Sequence, residues 1–176
     1  MDLIEDFFAP AEGRLSILYV EDSYVNREYT LKILEQRFPD IITAEDGQQG
    51  LELFEKHRPD IVITDVRMPV MDGITMAGKI KEIQHDAPII ITSAFGDREV
   101  LMESIRTGVT RFIMKPIHMQ ELLATLDELR TVILLRRRLA LQQSFIETVL
   151  DSQNLITILT DGESLSGANR AALRFT

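Results

Sequence analysis

The sequence predicts an α/β fold, a doubly wound sheet of five parallel strands with helices on both faces. Three observations predict it. Short runs rich in β-formers alternate with helix-patterned stretches of about 10–15 residues, which is the pattern of βαβ units. The runs at 17–20, 61–64 and 89–92 are almost wholly apolar, as central strands covered on both faces are. "DIITA" and "VTRFIM" are more mixed and suit the two edges.

In chain order, "LSILYV" (15–20) is the first strand. "SYVNREYTLKILEQRF" follows with Val25, Tyr29, Ile33 and Leu34 at helical spacing and Ser23 as N-cap. "DIITA" (40–44) is the second strand and "DGQQGLELFEKH" the second helix. "DIVITD" (60–65) is the third strand, and "GITMAGKIKEIQ" the helix after it. "APIIITSA" leads into the helix "DREVLMESIRTG", which Gly108 closes as a C-cap. "VTRFIM" is the fifth strand, and a helix begins after "KPIH".

Composition narrows the function. The 176 residues are 45% hydrophobic and 27% charged, a folded rather than a disordered composition. No apolar run approaches the roughly 18 residues of a membrane span, and the acidic start "MDLIEDFFAPAEGR" lacks the basic region of a secretory signal. The absence of Cys excludes disulfides and thiolate metal sites. A cytoplasmic protein with no membrane association is the expectation. A formal charge of −9 argues against direct nucleic-acid binding. Arg130, Arg136, Arg137 and Arg138 form a local exception that reads as a solvated helix face.

In open α/β sheets the ligand site lies outside the carboxyl ends of the strands, at the point where the winding reverses. Here those ends carry Glu21-Asp22, Asp65, Thr92-Ser93 and Lys115-Pro116. Each alone has an ordinary explanation, but together they bring three acids, a hydroxyl and an ammonium to one rim. Clustered carboxylates resist joint ionisation unless a cation balances them. Mg2+ suits oxygen donors, and no His or Cys stands at these ends to suit zinc. Such a set fits phosphoryl transfer to a carboxylate nucleophile, with cations neutralising the phosphoryl oxygens.

"VEDS" after the first strand, "DVRMPVMDG" after the third, "TSA" after the fourth and "FIMKP" at the fifth resemble the receiver domain of two-component response regulators. The resemblance covers about residues 14–130. It implies the flavodoxin-like strand order 2-1-3-4-5, with Asp65 as phosphoacceptor and no enzymatic turnover of a separate substrate. It further implies Mg2+ held by Asp22, by Glu21 through water, by Asp65 and by the backbone carbonyl of Arg67. Ser93 takes the place of the switch hydroxyl, Lys115 pairs with a phosphoryl oxygen, and Phe112 reads either as an aromatic that turns inward on activation or as core packing alone. A cis bond between Lys115 and Pro116 is implied as well. Strand alternation puts Thr92 and Ser93 on opposite sides, and Ser93 is preferred. Asn26 reads either as a polar residue of the first helical turn or as a contact at the site's edge. His57, His85 and His118 read as surface residues. Arg67 and Phe95, two positions after Asp65 and Ser93, are bulky and carry no group to orient water, so slow self-hydrolysis of the acyl phosphate is expected. The implied phosphodonor is a histidine kinase or a histidine phosphotransfer protein.

Beyond His118 there is no Pro or Gly for about 35 residues, long for a globular helix. Val132, Leu135, Leu139, Gln142, Ile146 and Val149 alternate steps of three and four, a short heptad stripe. Residues 131–151 are therefore expected to be a helical linker, a possible coiled coil that forms a homodimer. "LITILTDGE" and "NRAAL" resemble the start of a PAS domain, so 152–176 are expected to be its truncated beginning, leading toward an output domain. Two other classes stay open: an interaction module of the same architecture without phosphorylation, and a metal-dependent phosphohydrolase. The second lacks an acid shortly after Asp65, where Arg67 stands.

Overall fold

The structure is a computed structural model that describes residues 14–94, 98–152, 158–160 and 165–168, with side chains described for 14–94 and 102–148. Strands β1 (Ser16–Val20), β2 (Asp40–Ala44), β3 (Ile61–Asp65), β4 (Ile89–Ala94) and β5 (Arg111–Lys115) form one sheet. Helices α1 (Tyr24–Leu34), α2 (Gly47–His57), α3 (Gly73–Ile83) and α4 (Arg98–Thr107) connect them, and α5 (Met119–Ser152) follows. All four strand pairs are parallel and the order is β2-β1-β3-β4-β5, as expected. The winding reverses between β1 and β3. Register pairs Val20 with Thr64, Asp65 with Thr92 and Ala94 with Lys115, so the acids, Ser93 and Lys115 emerge on one rim.

The core lies where the pattern of apolar runs places it. Every residue of β3 is buried, and Leu18, Val20, Val62, Ile89 and Ile91 pack with Phe54 in one cluster. Each fully buried aliphatic side chain of this kind stabilises the fold by about 1.5–3 kcal/mol. The helices start and stop where local chemistry dictates. Ser23, Asp46 and Asp72 cap α1, α2 and α3 by accepting backbone N–H groups. Gly108 ends α4 with φ of +75°, a conformation that its missing Cβ permits.

On one helix only part of the stripe that its spacing suggests turns inward: Leu34 is buried and Ile33 half-buried, but its other members are not. On α1 the buried residues are Arg27, Thr30 and Leu34, while Val25 and Tyr29 stand in solvent at 73% and 63% exposure. Arg27 can occupy the inner face because its guanidinium is hydrogen-bonded there, which removes the penalty of burying it.

Leu122, Leu126 and Leu129 are buried at helical spacing on the first turns of α5. Arg37 pairs with Asp127 at 3.0 Å and Arg111 with Glu128 at 3.5 Å. The chain divides into two units between Thr131 and Val132. In the second unit Val132, Leu135, Leu139 and Ile146 are exposed along the helix and Gln142 is half-buried; the side chain of Val149 lies outside the described residues. Two further strands, β6 (Ile158–Thr160) and β7 (Leu165–Ala168), pair antiparallel, and the remainder of the PAS-like stretch lies outside the described residues. Among the described residues no helix is long and apolar enough to cross a membrane.

Candidate functional site

At the switch point, Glu21, Asp22 and Asp65 each bring one carboxylate oxygen within 4.8 Å of the others. Glu21 and Asp65 are buried and Asp22 is exposed. Like charges this close repel strongly in a partly desolvated site. Lys115 supplies the counter-charge. Its Nζ donates to Asp65 Oδ2 at 2.6 Å and to Glu21 Oε2 at 3.1 Å. Burial alone would lower the Lys115 pKa, but the hydrogen bond and attraction to Asp65, then to Glu21, hold it above the usual lysine value. The ammonium stays charged, and it bridges two of the three acids.

The remaining oxygens of those acids are fixed as well. Asp65 Oδ1 accepts the Val66 N–H at 2.8 Å, and Glu21 Oε1 accepts Asn26 Nδ2 at 3.2 Å. Asn26 is thus a contact at the site's edge. The donor set, three carboxylates without nitrogen or sulfur, fits a hard divalent ion such as Mg2+.

The loop after Asp65 is held from three directions. Gly73 N–H donates to the Val66 carbonyl at 2.9 Å, and Met71 N–H donates to that of Pro69 at 2.7 Å. Gly47 N–H donates to the Met71 carbonyl at 3.1 Å, tying this loop to the start of α2. Gly73 sits so close to the strand end that any Cβ there would overlap the Asp65 carbonyl oxygen. Asp72 caps α3 with hydrogen bonds from Ile74 N, Thr75 N and Thr75 Oγ1. Burial would raise its pKa, but these bonds outweigh burial and hold it below the usual carboxylate range. Val70 has φ of +66°, a conformation rare for a β-branched residue.

Ser93 and Thr92 are both buried at the end of β4. Thr92 is the register partner of Asp65, but its hydroxyl already donates to the Thr64 carbonyl at 3.3 Å. Ser93 lies one residue nearer the rim. Phe112 is half-buried, packs against the core cluster and pairs in register with Ile91. Arg67 is exposed, and Phe95 lies outside the described residues. The Lys115–Pro116 bond is cis. His57, His85 and His118 are exposed.

Two residues that matter to this geometry carry no motif. Arg27 Nη1 donates to the Glu21 carbonyl at 2.7 Å and, at 3.5 Å, to that of Asp22, while Nη2 meets Glu45 Oε1 at 2.7 Å. The signal available in the sequence was the inner stripe of Arg27, Thr30 and Leu34, which the apolar stripe beside it obscured. Glu45 had none.

Comparison with known proteins agrees with this geometry. The response regulator receiver domain family matches residues 17–127. The chemotaxis protein CheY of Bacillus subtilis is 36% identical over 113 residues, covering 64% of this chain and 94% of that protein. The N-terminal domain of an uncharacterized protein from Wolinella succinogenes superposes with a TM-score of 0.67 at 38% identity, over 69% of this chain and 98% of that one. The chemotaxis response regulator CheY4 of Vibrio cholerae gives 0.60 at 28% identity, over 66% and 98% respectively.

Proposed function

The chain belongs to the response regulator receiver domain family of two-component systems, and from that premise we propose that Asp65 accepts a phosphoryl group from a histidine kinase or a histidine phosphotransfer protein, supported by Mg2+. The observation that carries this reading is the Asp65 carboxylate itself. It is buried at the switch point, held by the Val66 amide and Lys115, and grouped with Glu21 and Asp22.

In the transfer, an Asp65 carboxylate oxygen forms a bond to phosphorus while the donor's phosphorus–nitrogen bond breaks and its electron pair stays on the imidazole. The product is an acyl phosphate. Glu21, Asp22, Asp65 and the backbone carbonyl of Arg67 would hold Mg2+, which supplies charge neutralisation when bound. Lys115 is free to pivot from the carboxylates to a phosphoryl oxygen, since its flexible stem carries a point charge. Ser93 then bonds a second phosphoryl oxygen, and Phe112, already half-buried, follows inward. The chain thus acts as a signalling domain that assists its own phosphorylation and slow dephosphorylation.

The 14–130 domain passes this change along α5 toward a C-terminal output. The exposed Val132, Leu135, Leu139 and Ile146 support a parallel homodimer through the 131–151 helix. The stretches "LITILTDGE" and "NRAAL" are PAS-like in this reading.

Incubation with Mg2+ and phosphoramidate, with BeF3− as a parallel mimic, tests the proposal. One base-labile phosphoryl group is expected on the wild type and none on Asp65→Asn. Labelling that is acid-stable and independent of Asp65 would sink it.

A further inference from the structure

We propose that Arg27 is a positioning residue that holds Glu21 and Asp22 in their cation-binding arrangement and thereby sets how tightly Mg2+ is bound. The inference rests on the metal reading above, and extends it to a residue outside the acidic set.

The two acids are consecutive on the turn that leaves β1, where the Glu21 N–H donates to the Ala44 carbonyl of β2 at 3.2 Å. The carbonyl side of the turn is held by Arg27. A single nitrogen, Nη1, gathers the carbonyls of Glu21 and Asp22, so the backbone bearing both acids is drawn toward one point. The other terminal nitrogen anchors the guanidinium to Glu45, just beyond β2. The side chain is 7% exposed, and its guanidinium carbon lies 5.8 Å from the centre of the Tyr24 ring. Planar, charged and held on two sides, this group cannot swing away as a lysine would. It contacts carbonyl oxygens of the acids rather than their carboxylates, so its action on a cation runs through backbone position.

Charge alone predicts the opposite outcome. A fixed positive charge beside Glu21 and Asp22 weakens the attraction of the acidic group for a second cation, so neutralising it should tighten Mg2+ binding. Positioning predicts that losing the guanidinium loosens it, whether or not the charge is kept.

Calorimetric Mg2+ titration of wild type, Arg27→Lys and Arg27→Gln, each with a thermal melt, separates the two. Both folded variants are expected to bind Mg2+ about ten-fold more weakly or worse, as when a ligand's supporting partner is lost. Phosphorylation of Asp65 at saturating Mg2+ should persist. Unchanged affinity in Arg27→Lys, or tighter binding in Arg27→Gln, overturns the inference. Should both variants fail to fold, NMR of the wild type decides: slow exchange of the Arg27 Nη protons without Mg2+ supports positioning, and rapid averaging overturns it. A wild type that binds no Mg2+ at millimolar concentration overturns the metal reading and this inference with it, whereas equal binding by wild type and Arg27→Lys overturns the inference alone.

Discussion

Two glycines of α3, five residues apart, should respond to alanine in opposite directions. At Gly73 an added methyl would overlap the Asp65 carbonyl oxygen, with Thr64 Oγ1 at 2.8 Å and the Asp65 carbonyl carbon at 3.0 Å. Two of these atoms are backbone, so no rotamer change relieves the overlap. The start of α3 must retreat by about 1 Å, an overpacking that costs about 1–3 kcal/mol. Retreat also strains the hydrogen bond from Gly73 N–H to Val66 O at 2.9 Å. That bond contributes about 1 kcal/mol, so the whole loss is about 2–4 kcal/mol. For a domain of this size that lowers the melting temperature by roughly 10 °C or more. At Gly78 the nearest atom to an added methyl is Thr107 Cγ2 at 3.9 Å, an ordinary contact. Alanine there gains the helix preference of about 0.5–1 kcal/mol without a clash, and the melting temperature rises by a few degrees. Thermal unfolding followed by circular dichroism reads both, and phosphoramidate labelling reports whether Gly73→Ala also displaces Asp65. A Gly73→Ala protein that melts with the wild type, or a Gly78→Ala protein that is the less stable of the two, refutes the close-approach argument.

Lys115→Met leaves the buried Glu21 and Asp65 carboxylates without their cation and should lower stability by about 2–3 kcal/mol at pH 7, below the full penalty of a deeply buried pair because the ammonium is a quarter exposed. Because the folded Lys115 pKa is raised, its contribution is complete below the unfolded lysine value and disappears as pH climbs through the folded one; urea titrations should show the gap between wild type and Lys115→Met closing above about pH 10.5, and a constant gap would contradict the pairing. Asp72→Ala removes the N-cap of α3 and should cost about 1 kcal/mol at neutral pH. Since the Asp72 pKa is depressed, that contribution is present above the unfolded carboxylate value and lost as pH falls through the folded one, so acid unfolding of wild type and variant should converge. The acyl phosphate on Asp65 should outlast mixing and gel separation, because Arg67 offers no carboxylate or amide to orient water; decay within seconds in the absence of a phosphatase contradicts this. Light scattering of the Leu135→Asp, Leu139→Asp double variant should report a monomer where the wild type is a dimer, and a monomeric wild type at high concentration removes the coiled-coil reading.

Strand identity and the roster of rim residues were legible because each rests on local pattern, whereas the strand order 2-1-3-4-5 came from the resemblance to receiver domains. Three apolar runs bounded by turn chemistry demand burial on two faces, and in a parallel sheet this brings their carboxyl ends together whatever the helices do. Glu21, Asp22, Asp65, Ser93 and Lys115 were therefore readable as a group from position alone. The inward face of α1 was not. A helical period admits more than one stripe, and Val25 and Tyr29 made the apolar choice look sufficient. Which stripe turns inward depends on acceptors that residues distant in sequence provide, here the Glu45 carboxylate, as well as on the nearby carbonyls of Glu21 and Asp22.

Local sequence could thus specify that an aspartate would stand at the switch point beside other acids, a hydroxyl and a lysine. Tertiary structure alone decided how that aspartate is held: Lys115 across it, Val66 and Gly73 behind it, Asn26 on its acidic neighbour and Arg27 on the carbonyls of the acidic turn. The physical reason is that hydrophobic periodicity acts along one chain segment, whereas hydrogen bonds and ion pairs act over a few ångströms of space. Lys115 and Asp65 are 50 residues apart in sequence and 2.6 Å apart in the fold.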